Sequence, residues 1–195
     1  MEKIKKHIWK IILIGFPVLY FIFWFNGTVS AEEDVEGQWS KVESTYQRRM
    51  DLLPNLMRTV QSYAAQEKEV LLGVTQARAS VGKVTIDANN LKPENIQAYQ
   101  QAQSGLTQAL SKLMVIQERY PDLKSNQNFM ALQDELAGTE NRINVARDRF
   151  SDSAKKFNKK IKKIPGRLFN SLAGFEEKGY FKSDKGAEKA PELFK

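Results

Sequence analysis

The residues whose types lend themselves to chemistry gather in three places along this chain. Arg48, Arg49, Asp51 and Asn55 surround a proline at position 54, and Glu135, Glu140, Asn141 and Arg142 form a second polar group with Thr139 on the same stretch. Brought together between helices, these groups read as a network that caps helix ends and fixes register, because charges removed from water must be paired. The functional alternative is a polar pocket for a small anion or a peptide. The third place is the densest run of positive charge: Lys155, Lys156, Lys159, Lys160, Lys162, Lys163 and Arg167. As structure, that run is a solvated helix face with favourable charges near a helix C-terminus. Set against lipid headgroups, each cation would add about 1 kcal/mol of attraction to an anionic surface.

Many chemistries are excluded by what the chain lacks. It has no cysteine and one histidine, His7, which lies in the basic start of the chain. Disulfides, thiolate metal sites, cysteine nucleophiles, His-based zinc or di-iron centres and Ser-His-Asp triads are therefore ruled out. Glu67, Glu135 and Glu140 offer oxygen ligands to a hard cation, but no ordered Asp/Gly loop accompanies them. No glycine-rich phosphate loop or nucleophile elbow occurs. The net charge of +7 comes without aromatic interleaving or a groove-reading motif, so nucleic acid is not expected. These observations predict a protein that is not an enzyme and carries no cofactor or metal.

The elements that position these residues begin with a basic segment, residues 1–10, followed by residues 11–31 without a charge. At ~1.5 Å per residue the uncharged stretch spans roughly 30 Å, a bilayer's hydrocarbon thickness. Its apolar part is Ile11, Ile12, Leu13, Ile14, Phe16, Val18, Leu19, Phe21, Ile22, Phe23, Trp24 and Phe25. Lysines precede the run and acidic residues follow it, which places the N-terminus in the cytoplasm and the remainder outside. The rival reading is a signal peptide cleaved after Ala31, where small residues stand at the positions a signal peptidase reads.

Beyond the anchor, apolar residues recur at alternating steps of three and four, the mark of a helical-bundle seam. Val35, Trp39, Val42 and Tyr46 form one run. Leu53, Leu56, Val60, Tyr63, Val70, Val74, Ala77 and Val81 form the next, with Glu67 in the one missing seam position. Pro93 suits the first turn of a helix reaching Tyr120 with Ile96, Tyr99, Leu106, Leu110, Leu113 and Ile116 inward. Ser125 is the expected cap of a last long helix ending at Pro165-Gly166, with Phe129, Ile143, Phe150, Phe157 and Ile164 among its inner residues. Residues 167–195 read as an irregular tail with aromatic docking points.

Pro54 raises the question of whether the chain turns there. A proline inside a helix costs ~3 kcal/mol, whereas in a first turn it costs little. Asp51 suits a cap for a helix starting at Leu52. The seam phase continues from Val35 through Arg49 to Val81, as an unbroken helix requires. One straight helix over 35–81, however, would be ~70 Å long and would leave Val35, Trp39, Val42 and Tyr46 without cover. A break near Pro54 is therefore the expectation.

Four segments together resemble the LemA family of bacterial membrane-anchored helical proteins. They are FNGTVSAEEDVEGQW (25–39), YQRRMDLLPNLMRTVQSYAAQE (46–67), ERYPDLKSNQNFMALQDELAGTENRINVARDRF (118–150) and FNKKIKKIPGRLFNSLAGFEEKGYF (157–181). The resemblance implies a four-helix up-and-down bundle behind an N-terminal transmembrane helix, and no enzymatic reaction. The combined expectation is all-α, with the anchor at 11–31, an antiparallel bundle at 32–166 and a tail at 167–195. Such a chain would serve as a scaffold in the bacterial cytoplasmic membrane, touching the membrane and either a protein partner or itself. Its alternative role is to bind anionic lipid or envelope polymer through the 155–167 lysines.

Overall fold

The computed structural model describes residues 2–88 and 90–182, with side chains from residue 15 onward. Among the described residues all regular structure is helical: α1 (Glu2–Tyr63), α2 (Lys68–Gly82), α3 (Pro93–Val115), a 3-10 turn (Ile116–Arg119), α4 (Pro121–Lys124), α5 (Gln127–Lys162) and α6 (Gly166–Ala173). The long helices α1 and α5 pack along each other, and the shorter α2 and α3 form a second pair beside them.

α1 runs 62 residues without a break and carries both Pro17 and Pro54 inside it. The expected turn at Asp51 is therefore corrected. Pro54 withdraws the amide that would bond the Met50 carbonyl, at a cost of ~3 kcal/mol. Against this, Leu53, Leu56 and Val60 are fully buried and Val35, Trp39, Val42 and Tyr46 nearly so, each contributing about 1.5–3 kcal/mol. The first half of this long helix is covered after all, in part by elements beyond the two helices expected to pack on it. α5, at 36 residues, is roughly 54 Å long and reaches back along the first half of α1. The 83–92 connection adds Ile86 and Leu91 to that cover, and the tail adds Phe175 and Phe181.

The turn instead falls at residues 64–67, where no proline or glycine announces it. The Glu67 amide bonds the Ala64 carbonyl at 3.0 Å. The Glu67 carboxylate accepts hydrogen bonds from Arg119 Nη2 and the Tyr120 hydroxyl, both at 3.0 Å. The polar residue in the seam thus marks the corner, held by the turn before Pro121. Pro93 opens α3 as its position suggested. The cap of α5 is Asn126 rather than Ser125: its Oδ1 accepts from the Phe129 amide at 3.0 Å. α5 ends at Lys162, leaving Ile164 exposed instead of inward.

Two cores result. The proximal core gathers Trp24, Trp39, Tyr46, Tyr99, Phe150, Phe157 and Phe181 with aliphatic neighbours. The distal core is mostly aliphatic: Leu53, Leu56 and Val60 of α1 meet Val74, Leu106, Leu113 and Leu136, with Phe129 at the far end. Their order along the helices shows that α1, α2, α3 and α5 alternate in direction, an up-and-down arrangement.

The part of the tail that follows α6 is a strap laced to α3 and α5. Asn158 bonds both the carbonyl and the amide of Lys178, at 2.7 and 2.9 Å, and the Gly179 amide bonds the Leu91 carbonyl at 2.7 Å. A Cβ on Gly179 would lie 2.7 Å from Pro93 Cα, so only glycine lets the strap approach this closely. Residues 183–195 lie outside the described residues.

Candidate functional site

A polar layer separates the two cores. Arg49 of α1, Gln103 of α3 and Thr139 of α5 are each nearly or fully buried, between apolar residues of both cores. The Arg49 guanidinium donates through Nη1 to Thr107 Oγ1 at 3.0 Å and to Glu140 Oε2 at 3.1 Å, and through Nη2 to Gln103 Oε1. It also lies 5.0 Å from the centre of the Tyr46 ring. One side chain thus ties α1 to both α3 and α5. Arg49 is 2% exposed and Glu140 43%, so the ion pair is dry on one side and wet on the other. Arg49 Nε and Thr139 Oγ1 have no hydrogen-bond partner among the described residues.

Two cavities flank this layer. One, of about 370 Å³, is walled by Arg49, Gln100, Gln103, Gln108, Glu140 and Arg147. The other, of about 330 Å³, lies between Arg49, Met114, Gln133 and Leu136. The first offers mainly hydrogen-bonding and charged groups, whereas the second is mostly apolar, with Leu110, Met114 and Leu136 in its wall.

The remaining expected network residues divide. Arg48 and Arg142 both bond Glu135 Oε1, at 2.9 and 3.0 Å, on the surface. Asp51 accepts from Gln47 at 2.8 Å and Asn55 from Arg58 at 2.5 Å, each within α1. Asn141 is exposed. Glu67, Glu135 and Glu140, considered together as cation ligands, are each held by a different arginine.

The lysine run closes the proximal end. Lys155, Lys156, Lys159, Lys162, Lys163 and Arg167 are exposed. Lys155 pairs with Asp152 at 4.0 Å and Lys162 with Glu177 at 2.5 Å. Lys160 turns inward: a Cβ on Gly27 would stand 2.5 Å from its Nζ, and burial lowers its pKa. The run therefore lies beside residues 24–28 of α1. There Phe169 of α6 packs on Tyr20, Phe21 and Trp24, with ring centres 5.4–5.8 Å apart. Gly166 allows this contact, because a Cβ on it would lie 2.1 Å from the Lys160 carbonyl oxygen.

Within the expected anchor, Trp24 is buried and Phe21 and Phe25 pack on the bundle, while Phe16, Val18, Leu19, Ile22 and Phe23 are exposed. The side chains of Ile11, Ile12, Leu13 and Ile14 lie outside the described residues. Among the described residues no helix is long and apolar enough to cross a membrane.

Sequence reasoning missed Gln103 and Thr107 as partners of Arg49. A signal for Gln103 was present: it fills the empty seam position between Tyr99 and Leu106, as Arg49 does between Tyr46 and Leu53 and Thr139 between Leu136 and Ile143. Three polar interruptions of three seams are one layer. Helix α6 was also missed, since eight residues are too few to establish a period.

Three curated relatives share this chain's sequence at low identity. The magnetosome protein MamQ of Magnetospirillum gryphiswaldense is 27% identical over 179 residues, which is 80% of this chain and 64% of that protein's length. The proteins MamQ 1 and MamQ 2 of Paramagnetospirillum magneticum are each 25% identical, over 87% of this chain and 70% of their own. This chain thus spans about two-thirds of the relatives' length. The LemA family profile matches residues 38–193, from just before Trp39 through both cores, the polar layer and the strap: the chain belongs to the LemA family.

Proposed function

We propose that this chain is a non-enzymatic, membrane-tethered scaffold that works by protein contacts at the bacterial cell envelope. The observation that carries this reading is the continuity of α1. The helix leaves the bundle core at Trp24 and continues toward the N-terminus with Phe16, Leu19 and Phe23 exposed, at 68%, 68% and 80%. Bare aromatic and aliphatic side chains in succession mark an interaction surface. They continue directly into the uncharged residues 11–14 behind the N-terminal lysines.

That continuity supports retention of the segment over its removal. Cleavage after Ala31 would cut α1 and strip Trp24 and Thr28, both buried, from the bundle. The charge bias supports an N-terminus inside and a bundle outside the cytoplasmic membrane. The relatives are named for a cell structure rather than for a reaction. Arg49 and Glu140 support the structural role of the polar layer, since each already satisfies the other's charge.

The second reading is a module for anionic lipid or envelope polymer. It is favoured by Lys159, Lys163 and Arg167, which are exposed and have no carboxylate within ion-pair distance among the described residues.

Topology is testable cleanly because the chain has no native cysteine. A Ser111→Cys variant should react with a membrane-impermeant maleimide on spheroplasts without permeabilisation. Reaction only after permeabilisation would overturn the outward orientation. Cross-linking in intact membranes should recover a partner or a second copy, and repeated recovery of neither would sink the scaffold reading.

A further inference from the structure

α6 is amphipathic, and only one of its faces is used. Phe169 and Ala173 pack inward against the proximal core. On the other face Leu168 is 72% and Leu172 81% exposed, and Ile164, two residues before the helix, is 89% exposed. Leu168 and Leu172 stand one helical turn apart and form a stripe, with Ile164 exposed in the turn that leads into the helix. We infer that this stripe seats in the interfacial layer of an anionic bilayer, so that α6 forms a second contact with the membrane beside α1. The inference rests on the tether reading given above.

Position and charge identify lipid as the occupant. Phe169 holds α6 at the level of Tyr20, Phe21 and Trp24, and Leu19 and Phe23 of α1 are bare at that same level. Whatever medium surrounds Leu19 and Phe23 therefore meets Leu168 and Leu172. Exposed Arg167 within α6, with Lys159 and Lys163 just before it, gives the apolar stripe a cationic border. That is the composition of a helix lying in the headgroup region of anionic lipid. A second copy stacked on the same stripe would bring two sets of these cations together, which disfavours self-association here. The αL cap at Gly174, with φ +77°, and the paired bonds between Asn170 and the backbone of Phe175 end α6 where the strap turns back to the bundle. Leu168 and Leu172 are left on the surface among the described residues.

The test uses the full-length chain reconstituted in vesicles containing 30% anionic lipid. Single cysteines at Leu172, Leu19 and Ser111 carry an environment-sensitive fluorophore, and quenchers are placed at shallow acyl depth on the lipids. The Leu172→Cys probe should be quenched several-fold more than the Ser111→Cys probe and should emit to the blue of it. Quenching at Leu19→Cys without quenching at Leu172→Cys would overturn this inference and leave the tether intact. Absence of quenching at both would overturn the two together. Efficient disulfide cross-linking between Leu172→Cys chains with no lipid quenching would show a second copy on the stripe, and the inference would be wrong.

Discussion

The two cores of this bundle solve the same packing problem differently. The distal core interlocks aliphatic side chains from four helices, a regular seam that closes on itself. The proximal core is built from large rings set at an angle, such as Trp39 with Tyr99 at 5.3 Å and 67° and Phe150 with Phe181 at 5.7 Å and 70°. Edge-to-face ring pairs add about 0.5–1.5 kcal/mol beyond area burial and fill a wider space. That width has a consequence: helices alone do not close it, and the strap with Phe181 is its lid. The polar layer at Arg49 stands at the change from one packing scheme to the other.

Truncations in the two cores should differ in reach. Phe150→Ala should destabilise the purified chain by about 3–5 kcal/mol and Leu56→Ala by about 2–5 kcal/mol, read by denaturant unfolding. Only Phe150→Ala should also release the strap, seen as lost hydrogen-exchange protection at the amides of Gly179 and Phe181. Equal release by Leu56→Ala would erase the distinction between the cores.

The layer between the cores should respond asymmetrically. Glu140→Ala leaves the Arg49 guanidinium buried without its carboxylate and should cost about 3 kcal/mol. Arg49→Met alone also strands the buried Gln103 Oε1, so it is combined with Gln103→Leu; the double variant leaves only Glu140, which already meets water, and should fall within about 1 kcal/mol of the parent. A double variant as costly as Glu140→Ala would mean that the layer is not one-sided as described.

The smallest effect concerns pH and belongs to the proximal half alone. Ser153 donates to Asp34 Oδ2 at 2.7 Å, and this bond holds the Asp34 carboxyl below its usual range. A carboxyl with a depressed folded-state pKa contributes stability above its unfolded value of ~3.9 and loses it as pH falls through the folded value. The stability gap between the parent and Ser153→Ala should therefore be present near pH 6 and close as the pH drops below ~4. A gap that stays constant through that range would assign the effect of Ser153 to packing.

Periodicity was legible because it is local. The three-four spacing of apolar residues determined that the chain is helical, which side of each helix is inward, and where proline opens α3. The polar layer was written in the same seams as three interruptions, although only a shared structure shows that Arg49, Gln103 and Thr139 lie at one height. Where helices end was decided elsewhere. Pro54 carries a strong local signal for a break and sits inside α1, because the burial on both sides of it outweighs one missing hydrogen bond. Residues 64–67 carry no such signal and turn, because Arg119 and Tyr120, far along the chain, hold Glu67. Side-chain period depends on neighbours three and four residues away and is fixed before folding. Helix length and the covering of a core depend on partners that only tertiary contact brings within reach.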